Sequence, residues 1–281
     1  MSRRRRHTLL ITMVCASALA ACGGSTSPAA VVRDAGAKTE AQRTATLNFA
    51  ITSNSSGAPV TSDGTGATDF SAKLVRGTFT VNGVPGVPDG AKADGIVTGQ
   101  LIYAQLLGAA AHPLGLKQDW IKVDLRQLAN IPGLDLGTIT QAGAINPHVV
   151  FLFAGGVTSA TKVGDETVNG TKVTHYKATV DLNQAVKALS GDDATLINKD
   201  LASYTSATVP EDVWIDATGL MRKVTFSVSV NGGAGKTPST QTVSYEFPAF
   251  GAAVDTSLPP ATDTADLTDV LAKVAGQQAG G

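Results

Sequence analysis

The stretch that decides the fold is Lys162-Val163-Gly164-Asp165-Glu166-Thr167-Val168-Asn169-Gly170-Thr171-Lys172-Val173-Thr174-His175-Tyr176-Lys177-Ala178-Thr179-Val180-Asp181-Leu182. Asn-Gly between two alternating runs is the strongest short-range hairpin signal, because both residues accept positive φ. Tyr176, Ala178, Val180 and Leu182 fall on one face of the second strand. A second hairpin is expected around Asp216-Ala217-Thr218-Gly219. Val209, Glu211, Val213 and Ile215 alternate before it, and Val224, Phe226, Val228 and Val230 after it.

Working outward, the same period recurs at Leu47, Phe49 and Ile51 and at Val243, Tyr245 and Phe247. Strand-like runs also stand at Ala67–Val75, Gly77–Asn82 and Trp120–Asp124, and Gly83 to Gly95 reads as a loop. Ile96 to Leu107 is apolar on both faces, with Ile96, Ile102 and Leu106 on one and Val97, Leu101, Tyr103 and Leu107 on the other. Such a run is expected to have something packed on each side. Helices are expected at Ala29–Thr44, Asn183–Leu189, Ala194–Ser206 and Ala265–Val274. Leu125–Gly156 carries only Arg126 and Asp135 as charges, and its apolar run Val149-Val150-Phe151-Leu152-Phe153 must fill a core or line a cavity. The sum is one α+β domain of roughly eight to ten mostly antiparallel strands with helices inserted.

The chain has 281 residues, 43% of them hydrophobic, and a formal net charge of −1. That balance excludes a nucleic-acid binder, which needs an excess of Lys and Arg to meet phosphates. The positive charge is unevenly placed. Arg3 to Arg6 form a basic run followed by an apolar stretch, Leu9 to Ala21. Thirteen residues are too few to cross a bilayer, which takes about 20, and fit the h-region of a signal peptide. Removal of residues 1–21 leaves 18 Lys and Arg against 23 Asp and Glu, a net of −5. Cys15 is then discarded and Cys22 becomes the first residue, so no disulfide can staple the fold.

Catalytic patterns do not assemble in this sequence. No Gly-x-Ser-x-Gly occurs. Ser159-Ala160-Thr161-Lys162 matches Ser-x-x-Lys, but one such match is expected by chance at this composition and its companion motifs are missing. Gly235-Lys236-Thr237 lacks the earlier glycine and the helix that a phosphate loop requires. His112, His148 and His175 show no metal-ligand spacing, and a solvent-side position is expected for His175. Glu211 and Asp212 point to opposite faces of a strand and cannot converge on one substrate; they read as solvated charges. The chain is therefore read as no enzyme, with no cofactor and no metal.

Several stretches in order carry a resemblance. Leu19-Ala20-Ala21-Cys22 looks like the lipobox of bacterial lipoproteins, and a polar tether follows over residues 22–28. Leu101-Ile102-Tyr103, Asp119-Trp120-Ile121-Lys122-Val123-Asp124, the Val163–Thr171 turn with Thr174-His175-Tyr176-Lys177-Ala178, and Val213-Trp214-Ile215-Asp216-Ala217-Thr218-Gly219 running to Val224 come after it. Together they resemble the actinobacterial LppX/LprA/LprF/LprG-type lipoproteins, whose fold is similar to LolA and LolB. The resemblance implies a diacylglyceryl group on Cys22 and a lipid-binding domain over residues 29–281. It also implies a curved antiparallel half-barrel with helices across its open side and an apolar cavity for lipid or lipoglycan acyl chains. Leu125–Gly156 departs from the family pattern.

Phe151, Phe153, Tyr176, Val180, Leu196 and Leu201 are the candidate lining residues. The partners implied are acyl chains and, through Cys22, the extracytoplasmic face of the cell membrane. A transport partner in the envelope is left unnamed. Two other readings stay open. One is a structural or sensing lipoprotein with a filled core, and the other an envelope enzyme built from scattered acids with His112 or His148.

Overall fold

The computed structural model describes residues 26–54, 59–83, 88–106, 116–124, 127, 147–187, 201, 204–231 and 238–270. The first helix, α1, spans Pro28–Glu40. The Ser27 side chain caps it by accepting from the Ala30 N–H, and Pro28 stands where no N–H is needed. The helix thus begins one residue inside the stretch expected to be tether. Its buried side carries Val32, Ala35, Gly36 and Thr39.

Among the described residues twelve strands form one sheet: β1 Thr44–Asn54, β2 Val60–Asp69, β3 Leu74–Asn82, β4 Ala91–Thr98, β5 Leu101–Leu106, β6 Trp120–Asp124, β7 Val157–Val168, β8 Thr171–Asp181, β9 Thr208–Asp216, β10 Met221–Val230, β11 Ser239–Glu246 and β12 Thr264–Asp266. Their order is β12-β6-β5-β4-β3-β2-β1-β11-β10-β9-β8-β7. Every neighbouring pair is antiparallel except β12 with β6, which is parallel. The described residues also include helices α2, His148–Gly155, and α3, Leu182–Lys187. The α3 start is capped by the Asp181 carboxylate, which accepts from the Asn183 and Gln184 N–H groups.

The Asn-Gly turn is where the pattern puts it, with φ of 47° at Asn169 and 78° at Gly170. Several other boundaries differ from expectation, and β4 begins at Ala91, inside the Gly83–Gly95 stretch read as a loop. Ala67–Val75 is not one strand; it contains the β2–β3 turn, held by the Asp69 carboxylate accepting from the N–H groups of Ser71 and Ala72. Ile96–Leu107 is likewise broken by a turn at Gly99, so Val97 faces Ile102 and Ile96 faces Tyr103. At the C-terminal end, β12 precedes a helical turn that begins only after Asp266, whose carboxylate accepts from the Thr268 N–H.

A single buried apolar cluster reaches from Val97 on β4 to Val180 on β8. Those strands are seven places apart in the sheet, roughly 34 Å if the sheet lay flat. One short helix spans the middle of that distance, from the β2–β3 turn to β10. On α2, Phe151 meets Phe70 from the β2–β3 turn while Phe153 meets Phe226 of β10. The sheet therefore curls around its helices, and its end strands β12 and β7 do not pair, leaving an open, curved half-barrel. The main helix contacts fall on β7 to β10.

Both faces of β4–β5 are covered, as their double-sided apolarity requires. Val75, Val97 and Ile102 join the inner cluster. On the outer face, Leu74, Ile96 and Tyr103 pack with Trp120 and Val254. Val254 belongs to a C-terminal strap tied down by Arg76, which donates to the backbone oxygens of Asp255 and Ser257. The strap ends in β12, where Lys122 meets Asp266 at 2.8 Å.

Candidate functional site

The candidate lining residues reach the concave side of the sheet by two routes. Val180 is buried on β8, and Tyr176, half-buried on the same face, packs against the cluster. Phe151 and Phe153 arrive on α2, a helix apolar all round after His148 and so able to bury opposite sides at once. Phe151 stands edge-on to Phe70 with ring centres 4.8 Å apart and lies 6.1 Å from Phe247. Phe153 stands edge-on to Phe226 at 5.3 Å. Leu201 packs on the same cluster. Leu196 and Cys22 lie outside the described residues.

Gly36 explains how closely α1 and α2 approach. A Cβ at that position would lie 2.5 Å from the Ala154 Cβ. A helix-interior glycine costs about 1 kcal/mol relative to alanine; here it lets α2 sit down on the sheet. The α2 start has no side-chain cap, and His148 pairs with Glu40 at 3.4 Å. Apolar contacts hold this helix in place.

Two polar side chains interrupt the concave face. Glu211 is 2% exposed, and among the described residues neither carboxylate oxygen has a hydrogen-bond partner; the Tyr245 hydroxyl is likewise buried without one. Burial, reinforced by the nearby Asp212 charge, pushes the Glu211 carboxyl up to about 8. Burial, with Tyr204 nearby, pushes the Tyr245 phenol up as well. Reading Glu211 as a solvated charge is therefore wrong. The signal was present in the alternation Val209-Glu211-Val213-Ile215, which puts Glu211 on the inward face.

The convex face carries a polar network. His175 is on that side as expected, but only 8% exposed. Its Nδ1 lies 2.9 Å from Glu166 Oε1 and its Nε2 2.6 Å from Asp212 Oδ1, and the ring stacks on Trp214 at 4.3 Å. The Trp214 indole N–H donates to Glu166 Oε2 at 2.7 Å. That bond, followed by His175, holds the Glu166 carboxyl below the usual carboxylate range. All these atoms are engaged with one another, and the ring nitrogens face carboxylates, not a hydroxyl or thiol to activate.

At the β9–β10 turn, burial raises the Asp216 carboxyl, but bonds from Thr218 and Arg222 outweigh it and hold it low. A groove of about 530 Å³ runs beside Asp165, Glu166, Lys172, Thr174 and Asp216. Its charged lining does not suit an acyl chain. Among the described residues no three His, Cys, Asp or Glu side chains gather as a metal site, and no helix is long and apolar enough to cross a membrane.

The concave apolar sheet with its helical cover sets the frame for comparison with known proteins. No family model matches the chain. The solved structures it is similar to include LprF from Mycobacterium bovis, at 15% identity and a TM-score of 0.42 over 83% of this chain and 96% of that one. The lipoprotein LppX from Mycobacterium tuberculosis is another, at 14% identity and 0.42 over 82% and 99%. The chain is similar to LprF and LppX. Among curated proteins, an uncharacterized 31.2 kDa protein of Streptomyces griseus is 31% identical over 177 residues, 60% of this chain and 54% of that protein. The chain spans about half the length of that relative.

Proposed function

We propose that this chain is a non-catalytic lipoprotein of the bacterial envelope that holds lipid or lipoglycan acyl chains between its concave sheet and its helices. The observation that carries this reading is the largely apolar inner face, which reaches from β4 to β8, holds Glu211 and the Tyr245 hydroxyl as polar interruptions, and is covered by a helix that packs on it through apolar side chains. An acyl chain brings nothing to hydrogen-bond, so it suits a face of Phe, Val, Ile and Leu. Displacing α2 would let a chain replace the Phe151 and Phe153 rings in contact with the sheet. Phe151, Phe153, Tyr176, Val180, Leu196 and Leu201 are the residues proposed to meet it. Burial of about 0.8 kcal/mol per methylene supplies the affinity.

Residues 1–21 are proposed as the signal peptide, 22–28 as the lipidated cysteine and tether, and 29–281 as the lipid-binding domain. Cys22 would carry the anchor, placing the domain on the extracytoplasmic face of the cell membrane and free to pass lipid within the envelope. Growth with labelled palmitate tests the anchor: wild type takes up label and Cys22→Ser does not. Titration with cis-parinaric acid, which fluoresces when its chain leaves water, tests the binding face. Saturable enhancement at one site per chain supports the reading, and enhancement no greater than with a filled-core control protein refutes it.

The ring-on-ring packing of Phe70, Phe151, Phe247, Phe153 and Phe226 favours a second reading, a structural or sensing envelope lipoprotein with a filled core and no ligand. The same titration separates the two.

A further inference from the structure

Buried polar side chains in this fold have partners nearly everywhere. The Thr39 hydroxyl donates to the Ala35 carbonyl and accepts from the Met221 N–H. The Thr68 hydroxyl donates to the Leu74 carbonyl. Asp216 accepts from the Thr218 and Leu220 N–H groups and from Arg222. Glu211 and Tyr245 are exceptions, and both face the concave side. An unpaired buried polar group in a native fold calls for an explanation.

Register places them relative to each other. Glu211 on β9 stands opposite Phe226 on β10, and Phe226 opposite Val243 on β11. Tyr245 is the next inward-facing residue along β11. The two positions are thus two strands and one inward step apart, on the order of 10 Å across and 7 Å along the sheet. Phe153 of α2 lies on Phe226, the residue next to Glu211 in the sheet.

We infer that Glu211 and Tyr245 form a polar anchor within the concave face for the uncharged oxygens of a lipid, an ester carbonyl or hydroxyl at the head of its acyl chains. This rests on the reading that the face takes acyl chains. A phenol O–H donates, and a protonated carboxyl both donates and accepts, so together they match a group rich in acceptors with at most one hydroxyl. Burial keeps the carboxyl protonated at neutral pH, and the charge acting on it is the like charge of Asp212. An anionic phosphate headgroup would meet repulsion there.

The test uses the full chain and three probes: dioleoylglycerol, dioleoylphosphatidylglycerol and squalene, which has no polar atom. Each is measured by displacement of parinaric acid. Wild type is expected to prefer dioleoylglycerol to the anionic lipid. Glu211→Leu weakens dioleoylglycerol about tenfold, or about 1.4 kcal/mol, and leaves squalene unchanged. Glu211→Gln, which keeps a donor and an acceptor, stays within about twofold. If Glu211→Leu does not fold, Tyr245→Phe carries the test through the infrared ester C=O band of bound, carbonyl-labelled dioleoylglycerol. That band is lowered by hydrogen bonding in wild type and moves part-way back in the variant. Equal affinity of wild type and Glu211→Leu for dioleoylglycerol, or an unlowered band in wild type, overturns the anchor while squalene binding leaves the acyl-chain reading standing. Failure of wild type to bind either dioleoylglycerol or squalene overturns both.

Discussion

Replacing Glu211 by Gln should change how stability depends on pH, and the structure sets the size of the effect. The Glu211 carboxyl titrates near 4.5 in the unfolded chain and at about 8 in the folded one, because burial penalises its charge. Between those values the folded state keeps a proton that the unfolded state releases. Stability is therefore fully present below pH 4.5 and falls as pH rises, by about 1.4 kcal/mol per unit, until it levels off near pH 8. By pH 7 the loss reaches about 3 kcal/mol. Gln cannot ionise, so Glu211→Gln lacks this slope, and its melting temperature at pH 7 should exceed that of wild type by roughly 6–12 °C. The assay is urea unfolding followed by circular dichroism at intervals from pH 5 to 8.5, read as the difference between the two proteins. All other ionisable groups are common to both, so the difference isolates Glu211. Parallel stability curves across that range would refute the assignment of Glu211 as a buried, unpartnered carboxyl.

Three further outcomes follow from the packing. Phe153→Ala removes a ring wedged against Phe226 and should cost about 3–5 kcal/mol in urea unfolding; a loss under about 1 kcal/mol would mean α2 is not seated there. Gly36→Ala should destabilise by about 1–2 kcal/mol although alanine is the better helix former, because its Cβ meets Ala154; a rise in melting temperature would contradict the close approach of α1 and α2. Asp216→Ala should cost about 3 kcal/mol at pH 7 by stranding Arg222. Because the Asp216 carboxyl is held low, its contribution is present above about pH 4 and is lost as pH falls below it. The variant should therefore lose less on acidification than wild type, and equal acid sensitivity would count against the turn network.

What could be read from the sequence is what local pattern encodes. Alternation and Asn-Gly locate the β7–β8 hairpin, and the apolar weight of Val149–Phe153 marks a segment that fills a core or lines a cavity without placing its helix. The β2 strand escaped notice because Thr61-Ser62-Asp63-Gly64-Thr65-Gly66 has no apolar period. It is a strand because β1 and β3 pair on either side of it. The turn at Phe70 was hidden by an aromatic residue that belongs to the core, with the Asp69 carboxylate doing the turning. Pairing of β12 with β6 joins segments more than a hundred residues apart and leaves no local trace.

At the candidate site the split is similar. Tyr176 and Val180 follow from period, whereas the directions of Phe151 and Phe153 depend on how α2 docks. Glu211 reads as solvated because a carboxylate is rarely buried alone, although its place in the alternation points inward. His175 was put on the correct face, but its partners come from β7 and β9 and cover it.

Native mass spectrometry of the full chain, purified in mild detergent from a bacterial host, tests the central claim most directly. The account predicts the chain mass plus non-covalent lipid that organic solvent removes, distinct from any covalent acylation at Cys22. A mass accounted for entirely by the covalently modified chain, unchanged by added acyl lipid, would contradict it.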